Sequence, residues 1–508
     1  MADRRTRAWL FPAIAGVAAV AFGLGVAELV AGLLAPRASP LLVVGALLID
    51  LAPPWAKDAA IALFGTADKV ALLVGIGLVL LVLAAAAGVL QSRNPLLARL
   101  LIAAGGVFGI VAAVTRAGAS VVDAVPATVA TVAATLVLTA LLGQLPAPQP
   151  REGDLSRRRF LTWAGGVGAV GALAAIGGYA LASGARVVTA VRETFALPQP
   201  EVAAAPVPAG AELDVDGLTP VITPNADFYR IDTALQVPNL DPAQWSLRIH
   251  GLVENEVELT WDELIALPLE ESYTTLMCVS NPVGGDLVGT ALWLGYPIRE
   301  LLARAKPTSG ADMVLSVSSD GFTASSPIEA LTDDRNAILA VGMNGEPLPL
   351  EHGFPVRMVV PGLYGYVSAT KWVTELKVTR FDEARGYWTD RGWSARGPVK
   401  ISSRIDVPRG QVAVGEVVVA GVAWHQHTGI AAVEVSVDDG PWRDAELASA
   451  ISDDTWVQWR YVWDAAPGDH VLKVRATSAD GEVQTADLAG VAPDGATGHH
   501  TVSVSVVE

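Results

Sequence analysis

Cysteine is all but missing: Cys278 is the single thiol in 508 residues. No intramolecular disulfide is available, so packing must hold the fold. Histidine is missing from the first 249 residues; the seven present are 250, 352, 425, 427, 470, 499 and 500. Haem held between membrane helices draws on His ligands, so the N-terminal region is not a bis-His cytochrome and no haem is expected. Charge is sparse, at 17% of residues, and unevenly spread. Residues 1–186 carry 14 Lys/Arg against 8 Asp/Glu, and the remainder 21 against 44. An acidic second half without a basic cluster excludes nucleic acid as a partner, because phosphates demand Lys/Arg neutralisation.

Apolar residues are what the chain has in plenty. They make up 52% of it, and the mean hydropathy is +0.42. Runs at 9–34, 69–90, 97–115 and 120–143, and a Gly/Ala-rich run at 160–183, each approach the ~20 residues that span a hydrocarbon core. The stretch 41–51 is shorter and ends in Pro53 and Pro54, which suits a re-entrant or interfacial piece. Arg4, Arg5 and Arg7, then Arg93 and Arg99, then Arg151, Arg157, Arg158 and Arg159 fall on one side if four helices come first. That side is the cytoplasm by the positive-inside rule. The other side mixes Asp50, Asp58 and Asp68 with Arg37, Lys57 and Lys69, and everything after residue 186 is delivered there. Residues 156–161, with Arg157, Arg158, Phe160 and Leu161, resemble a twin-arginine translocation signal, which implies export of an already folded domain. Ala180, Leu181 and Ala182 offer a cleavage site after it. Glu28 and Asp123 lie near the ends of apolar runs, where hydration accounts for them.

The partition expected is a membrane domain of about five transmembrane helices over 1–186 and a linker over 187–222, the latter set by Pro198, Pro200, Pro206 and Pro208. Short alternating strands mixed with short helical pieces, one opened by the N-cap Thr260, indicate an α+β domain over 223–395. From 398 to 508 only strand patterns remain, at 412–422, 430–437, 456–463, 470–476 and 501–507. Turn signals such as Asp439 with Gly440 and Asp480 with Gly481 separate them, the pattern of an immunoglobulin-like β-sandwich. The fold class is thus multi-domain: an all-α transmembrane region, an α+β domain and a sandwich.

Cys278 has two readings, a buried small hydrophobe or a thiolate kept for chemistry, as nucleophile or soft metal ligand. His250 and His352 are available as bases for a thiol hydrolase, without dyad spacing. His425 with His427, and His499 with His500, lack a third ligand of clear spacing and read as surface loops. The tryptophans of 372–463 read as sandwich core and dimer surface.

Taken in order, residues 225–231, 277–281, 293–297, 320–322, 344–348, 352–357, 361–365 and then Ser368, Lys371 and Trp372 resemble the sulfite-oxidase family of molybdopterin oxidoreductases. The segment after 398 is similar to that family's dimerisation domain, so a homodimer is implied. The resemblance implies a molybdenum–molybdopterin cofactor with Cys278 as metal ligand, and a soft thiolate suits such a metal. Arg357 and Lys371 would neutralise the anionic pterin ester, with Ser368 and His352 as donors. Asn225, Tyr229 and Arg230 would line the near side of the pterin, with Asn281 after the cysteine. Arg230 and Asp320 would stand with Cys278 as catalytic residues. Sulfite-oxidising members carry arginines just after the cysteine segment. Here Pro282, Val283, Gly284 and Gly285 follow Asn281 and no charge comes until Asp286. One residue is also inserted between Ser368 and Lys371 relative to the family pattern. The expectation is a membrane-anchored, extracytoplasmic oxidoreductase for two-electron oxygen-atom transfer, with an S-oxide or N-oxide rather than sulfite as substrate. A separate electron-transfer protein or dissolved carrier would serve it. Sulfite dehydrogenation is the alternative within the class, and a cofactor-free exported interaction module the alternative outside it.

Overall fold

The computed structural model describes residues 9–53, 56, 59–60, 63–64, 68–116, 119–143, 153–182 and 185–508, without the side chains of 37, 153–157, 182, 185–187, 189 and 190. Arg4, Arg5, Arg7, Pro54, Lys57, Asp58 and Arg151, with the side chains of Arg37, Arg157 and Ala182, therefore lie outside the described residues. Contacts divide the chain into two units, 1–187 with 234–239, and 188–233 with 240–508.

The first unit is helical: α1 (Leu10–Leu34), α2 (Pro40–Leu51), α3 (Asp68–Arg93), α4 (Pro95–Val114), α5 (Val125–Gly143) and α6 (Gly153–Ala182). Asn94 caps α4 by accepting from the Leu97 amide at 3.3 Å, with Pro95 in the first turn, where its missing N–H costs nothing. Among the described residues five helices are long and apolar enough to cross a membrane, and Pro40–Leu51 is a shorter apolar helix. Their packing is the inverse of a water-soluble bundle. Ala15, Ala19, Ala27 and Ala31 of α1 are fully buried, whereas Leu78, Leu81 and Val82 of α3 and Leu173 and Ile176 of α6 are more than half exposed. Small residues bring the backbones together: a side chain on Gly88 of α3 would run into the Pro12 carbonyl and the Gly16 amide of α1. Glu28 departs from the hydration expected for it, since its carboxylate accepts from the buried Ser39 hydroxyl at 2.8 Å. Asp123 closes a capping box with Ser120. Phe160, the apolar residue after the arginine pair, is buried edge-to-face on Phe11 at 5.6 Å.

The second unit opens within α7 (Ala185–Thr194), whose Arg192 donates to the carbonyls of Leu348 at 2.8 Å and Pro347 at 2.9 Å. The stretch expected to be a linker is extended but bound. Phe195 and Leu197 pack on the core, the Leu213 amide donates to Gln458 at 2.6 Å, and the Thr219 amide donates to Asp406 at 3.2 Å. Its prolines remove helical periodicity without removing burial. Two sheets follow. One has the order β2 (Val257–Thr260), β1 (Ser246–Gly251), β10 (Val373–Thr379), β5 (Met313–Ser318), β6 (Thr323–Pro327), with β1 and β10 parallel. The other runs β3 (Glu270–Met277), β4 (Val288–Pro297), β7 (Ile338–Met343), β8 (Glu346–Pro347), with β9 (Arg357–Val359) also on β7. Short helices α8 (Trp261–Ile265), α9 (Ile298–Ala305), α10 (Glu329–Thr332) and α11 (Gly365–Ser368) cover them, α8 being opened by the Thr260–Glu263 capping box.

Beyond residue 400 the chain is strand and turn. A four-stranded sheet, β11 (Ser402–Val407), β13 (Gly415–Trp424), β17 (Val457–Ala465), β16 (Glu446–Leu447), shares a core with a five-stranded one. The latter runs β12 (Gly410–Ala413), β19 (His500–Val507), β18 (Gly468–Ser478), β14 (Ile430–Val437), β15 (Arg443–Asp444). Ile405, Val419 and Trp459 of the first meet Val435, Leu472 and Val474 of the second, following the period-2 alternation of each strand.

Candidate active site

β3 and β4 form a hairpin whose last ladder pair is Met277 with Val288, so Cys278 begins the connecting loop. The loop is bonded shut. The Cys278 amide donates to the Leu287 carbonyl at 2.9 Å, the Asn281 amide to the Cys278 carbonyl at 3.1 Å, and the Leu287 amide to Asn281 Oδ1 at 2.8 Å. The Ser280 amide donates to Cys278 Sγ at 3.4 Å. Cys278 is buried, and burial pushes its thiol up despite that N–H. Such a thiol is a poor spontaneous nucleophile and ionises only when a metal takes it.

The two-sheet region beyond residue 400 holds this hairpin from both sides. On the approach, the Trp456 amide donates to Thr275 Oγ1 at 2.8 Å, the Thr275 amide to the Asp454 carbonyl at 2.9 Å, and Trp424 Nε1 to Met277 Sδ at 3.1 Å. On the exit, Arg404 donates to the Gly285 carbonyl at 2.8 Å while its Nε pairs with Asp406 at 2.6 Å. Gly284, at φ +76, lies so close to the His500 ring that a side chain there would overlap it. His500 is buried and accepts from the Ile405 amide at 2.9 Å through Nδ1, and burial followed by the charges of Arg409 and Arg404 lowers it to about 4. The surface-loop expectation for His500 is therefore corrected: it opens an inner strand.

Cys278 opens onto a cleft with a cavity volume of about 130 Å³. Its lining brings together Cys278, Tyr229, Asp320, His352, Arg357 and Lys371. Arg357 is buried. Its guanidinium donates to the carbonyls of His352 at 3.1 Å and Met358 at 3.3 Å and lies 5.0 Å over the Trp293 ring. It has no carboxylate partner among the described residues, and burial lowers it to about 10. An unneutralised buried cation is costly and calls for an anion. Lys371 donates to Asp232 at 2.9 Å and to the Glu351 carbonyl at 3.0 Å; burial lowers it to about 8 against the pull of Asp232. His352, lowered to about 4 by burial and then by Arg357 and Lys371, is neutral near pH 7. Tyr229 is held protonated by burial, and a Cys278 thiolate would add to that effect.

Four expected residues stand outside the lining, each for a local reason. Arg230 is exposed to 44% and turns to Asp232 at 3.0 Å. Asn225 accepts from Asn344 at 2.8 Å and donates to the Met343 carbonyl. Asn281 is spent on Leu287, and the buried Ser368 hydroxyl donates to the Leu363 and Tyr364 carbonyls. His250 pairs with Glu375 at 2.7 Å on the β1–β10 ladder and takes no part. Sequence reasoning missed Asp232, Trp388 and Trp393, all of which line the cleft, as does Phe322 of the 320–322 motif. Trp388 and Trp393 correct the reading of the later tryptophans as sandwich core and dimer surface. Only the density of aromatics over 387–393 signalled them.

The donor set fits a molybdenum–pterin group: one soft ligand in Cys278, and buried cations and a neutral imidazole for an anionic ester. Residues 234–388 match the family described as "Oxidoreductase molybdopterin binding domain". Mitochondrial sulfite oxidase of Rattus norvegicus is 32% identical over 271 residues, 44% of this chain and 49% of that protein. The chain thus spans about half the length of the curated relatives it matches first. The Bacillus subtilis (strain 168) protein described as "Uncharacterized oxidoreductase YuiH" is 32% identical over 157 residues, 31% of this chain and 76% of that one. Among solved structures, the sulfane dehydrogenase SoxCD of Paracoccus pantotrophus aligns with TM-score 0.49 at 23% identity, covering 56% of this chain and 84% of its own.

Proposed function

The chain belongs to the sulfite-oxidase family of molybdopterin oxidoreductases, and from that membership we propose a membrane-anchored enzyme of two-electron oxygen-atom transfer acting on a neutral S-oxide or N-oxide. The observation that carries the proposal is the pairing of a lone buried thiol with the unneutralised Arg357 in one cleft. Cys278 would hold the metal, and Arg357, Lys371, His352 and Tyr229 would bind and orient the pterin and its ester. When bound, the molybdenum supplies the two-electron oxygen-atom chemistry. Tyr229 stays protonated and neutral beside the metal ligand.

Two features favour a neutral substrate over sulfite. The loop from Pro282 to Gly285 carries no charge. Among the described residues, the Lys/Arg side chains lining the cleft are Arg357 and Lys371, and both are bonded to protein groups. Sulfite dehydrogenation remains the second reading, favoured by the sulfite oxidases among the relatives. A cofactor-free interaction module would have no use for an unneutralised Arg357. Topology follows from the arginine clusters: residues beyond 186 outside the cytoplasmic membrane, with the arginine pair as a fold-first export signal. The partition at 186 and 395 is proposed as read, with 187–222 a bound lead-in to the second unit rather than a free linker and 398–508 an immunoglobulin-like module through which two copies pair. A separate electron-transfer protein or carrier completes the cycle.

Metal and pterin analysis of purified protein, followed by S-oxide and N-oxide turnover against a reduced dye, tests the proposal. About one molybdenum per chain is expected, lost along with turnover in Cys278→Ser. Metal-free protein from a cofactor-competent host would overturn it. Ferricyanide reduction by sulfite at rates above those with oxides would select the second reading.

A further inference from the structure

One buried ion pair lies where the sandwich meets the cysteine hairpin. Arg404 and Asp406 of β11 are each 7% exposed along their side chains and pair through Nε and Oδ1 at 2.6 Å. The ladder from β11 to β13 shifts register between Ile405 and Val407, and at that irregularity the Ile405 amide donates to His500 Nδ1. The rest of the Arg404 fork points elsewhere. Nη1 donates to the Gly285 carbonyl at 2.8 Å and Nη2 to Thr219 Oγ1 at 2.8 Å, while Asp406 Oδ2 accepts from the Thr219 amide at 3.2 Å. One planar group thus ties together the chain at 219, 285 and 406. The run continues to the thiol. The Gly285 amide donates to the Pro282 carbonyl at 2.9 Å, and Leu287, two residues on, accepts from the Cys278 amide and donates to Asn281.

We propose that Arg404 is a positioning residue for the metal ligand. Its fork, oriented by Asp406, fixes the exit of the loop and through it the direction in which Cys278 presents its sulfur to the cleft. The proposal rests on the reading of Cys278 as the molybdenum ligand and extends it to a residue that touches neither metal nor substrate. A buried ion pair is a weak source of net stability, and apolar residues of similar volume would pack as well. What the pair supplies is a single arrangement of three separate stretches. Because Asp406 matches its charge, Arg404 acts through geometry rather than through a field on the metal. Lysine would keep that charge, but a compact ammonium cannot reach three acceptors spread around a planar fork.

Two measurements on full-length protein in detergent test this. In cofactor-free protein, the rate at which iodoacetamide modifies Cys278 reports opening of the loop. Losing a charge-assisted hydrogen bond should raise that rate about 10- to 100-fold in Arg404→Met. In metal-loaded protein, the electron paramagnetic resonance spectrum of half-reduced molybdenum reports ligand geometry, and Arg404→Met should shift and broaden it. Arg404→Lys should follow Arg404→Met in both. Arg475→Met, which breaks the pair with Glu434 at 2.7 Å elsewhere in the sandwich, should change neither. Thr219→Val removes one acceptor and keeps the ion pair, so a rise of about 2- to 10-fold in alkylation is expected; it carries the test if Arg404→Met does not fold. The ordinary alkylation rate and spectrum in folded Arg404→Met, or in Thr219→Val in its place, would overturn the proposal. So would Arg475→Met reproducing the changes, or fast alkylation with an unaltered spectrum. Molybdenum-free protein from a cofactor-competent host would sink the ligand reading instead, while the alkylation rates still report whether Arg404 holds the loop.

Discussion

The two units solve packing in opposite ways. In the helical unit most buried positions are alanine or glycine, with Leu138, Leu141, Ile76 and Val43 among the larger exceptions, and most of the exposed large apolar side chains are leucine and valine; in the second unit Trp293, Trp372, Trp424, Trp456 and Trp459 are all fully buried. Water drives large apolar groups inward. Lipid offers no such drive, so close backbone approach decides which residues meet. The difference teaches where each unit is vulnerable: the second to lost volume, the first to added volume.

Substitutions test that contrast directly. Trp459→Ala, in the core between the two sheets, should cost about 3–5 kcal/mol, read as a lowered near-UV circular dichroism melting transition. Gly88→Leu in α3 reverses the logic: adding volume should cost about 1–3 kcal/mol, seen as earlier loss of helical signal in detergent. An intermediate effect comes from pH. Lys371 ionises near 8 in the cleft against 10.5 ordinarily. Its depressed value is a cost to the folded state that is fully present below about 8 and relieved as pH rises toward the ordinary value. The cofactor-free protein should therefore gain stability across that window. Pyrophosphate binding should weaken there by up to about tenfold per pH unit, a dependence that Lys371→Met abolishes. The smallest effect is expected for Leu173→Ala on the outer face of α6, within about 0.5 kcal/mol. A loss comparable to that of Trp459→Ala would mean that this face is covered by protein rather than lipid.

Much of this was legible in the sequence. Apolar runs mark helices because length alone suffices in a hydrocarbon core, and Cys278, His352, Arg357 and Lys371 stand in one run of motifs that the fold gathers into one cleft. What escaped was what depends on distant partners. Asn281, Ser368 and Arg230 carry suitable chemistry, but each is spent on a neighbour that spacing does not reveal. Arg404 and His500 look like surface residues because nothing local says that a glycine loop more than a hundred positions earlier will press against them. Trp388 and Trp393 sit in a segment without period, so no pattern assigned them a face.

The grip on the cysteine hairpin carries a consequence for biosynthesis. Arg404 is 119 positions from the Gly285 carbonyl it holds, and the ring against Gly284 belongs to the opening residue of the last strand. The cysteine loop takes its final shape only after nearly the whole chain has left the ribosome. The metal site proposed for Cys278 would be finished last rather than nucleated early, so a nascent chain still being threaded through a pore would offer its cysteine without its frame.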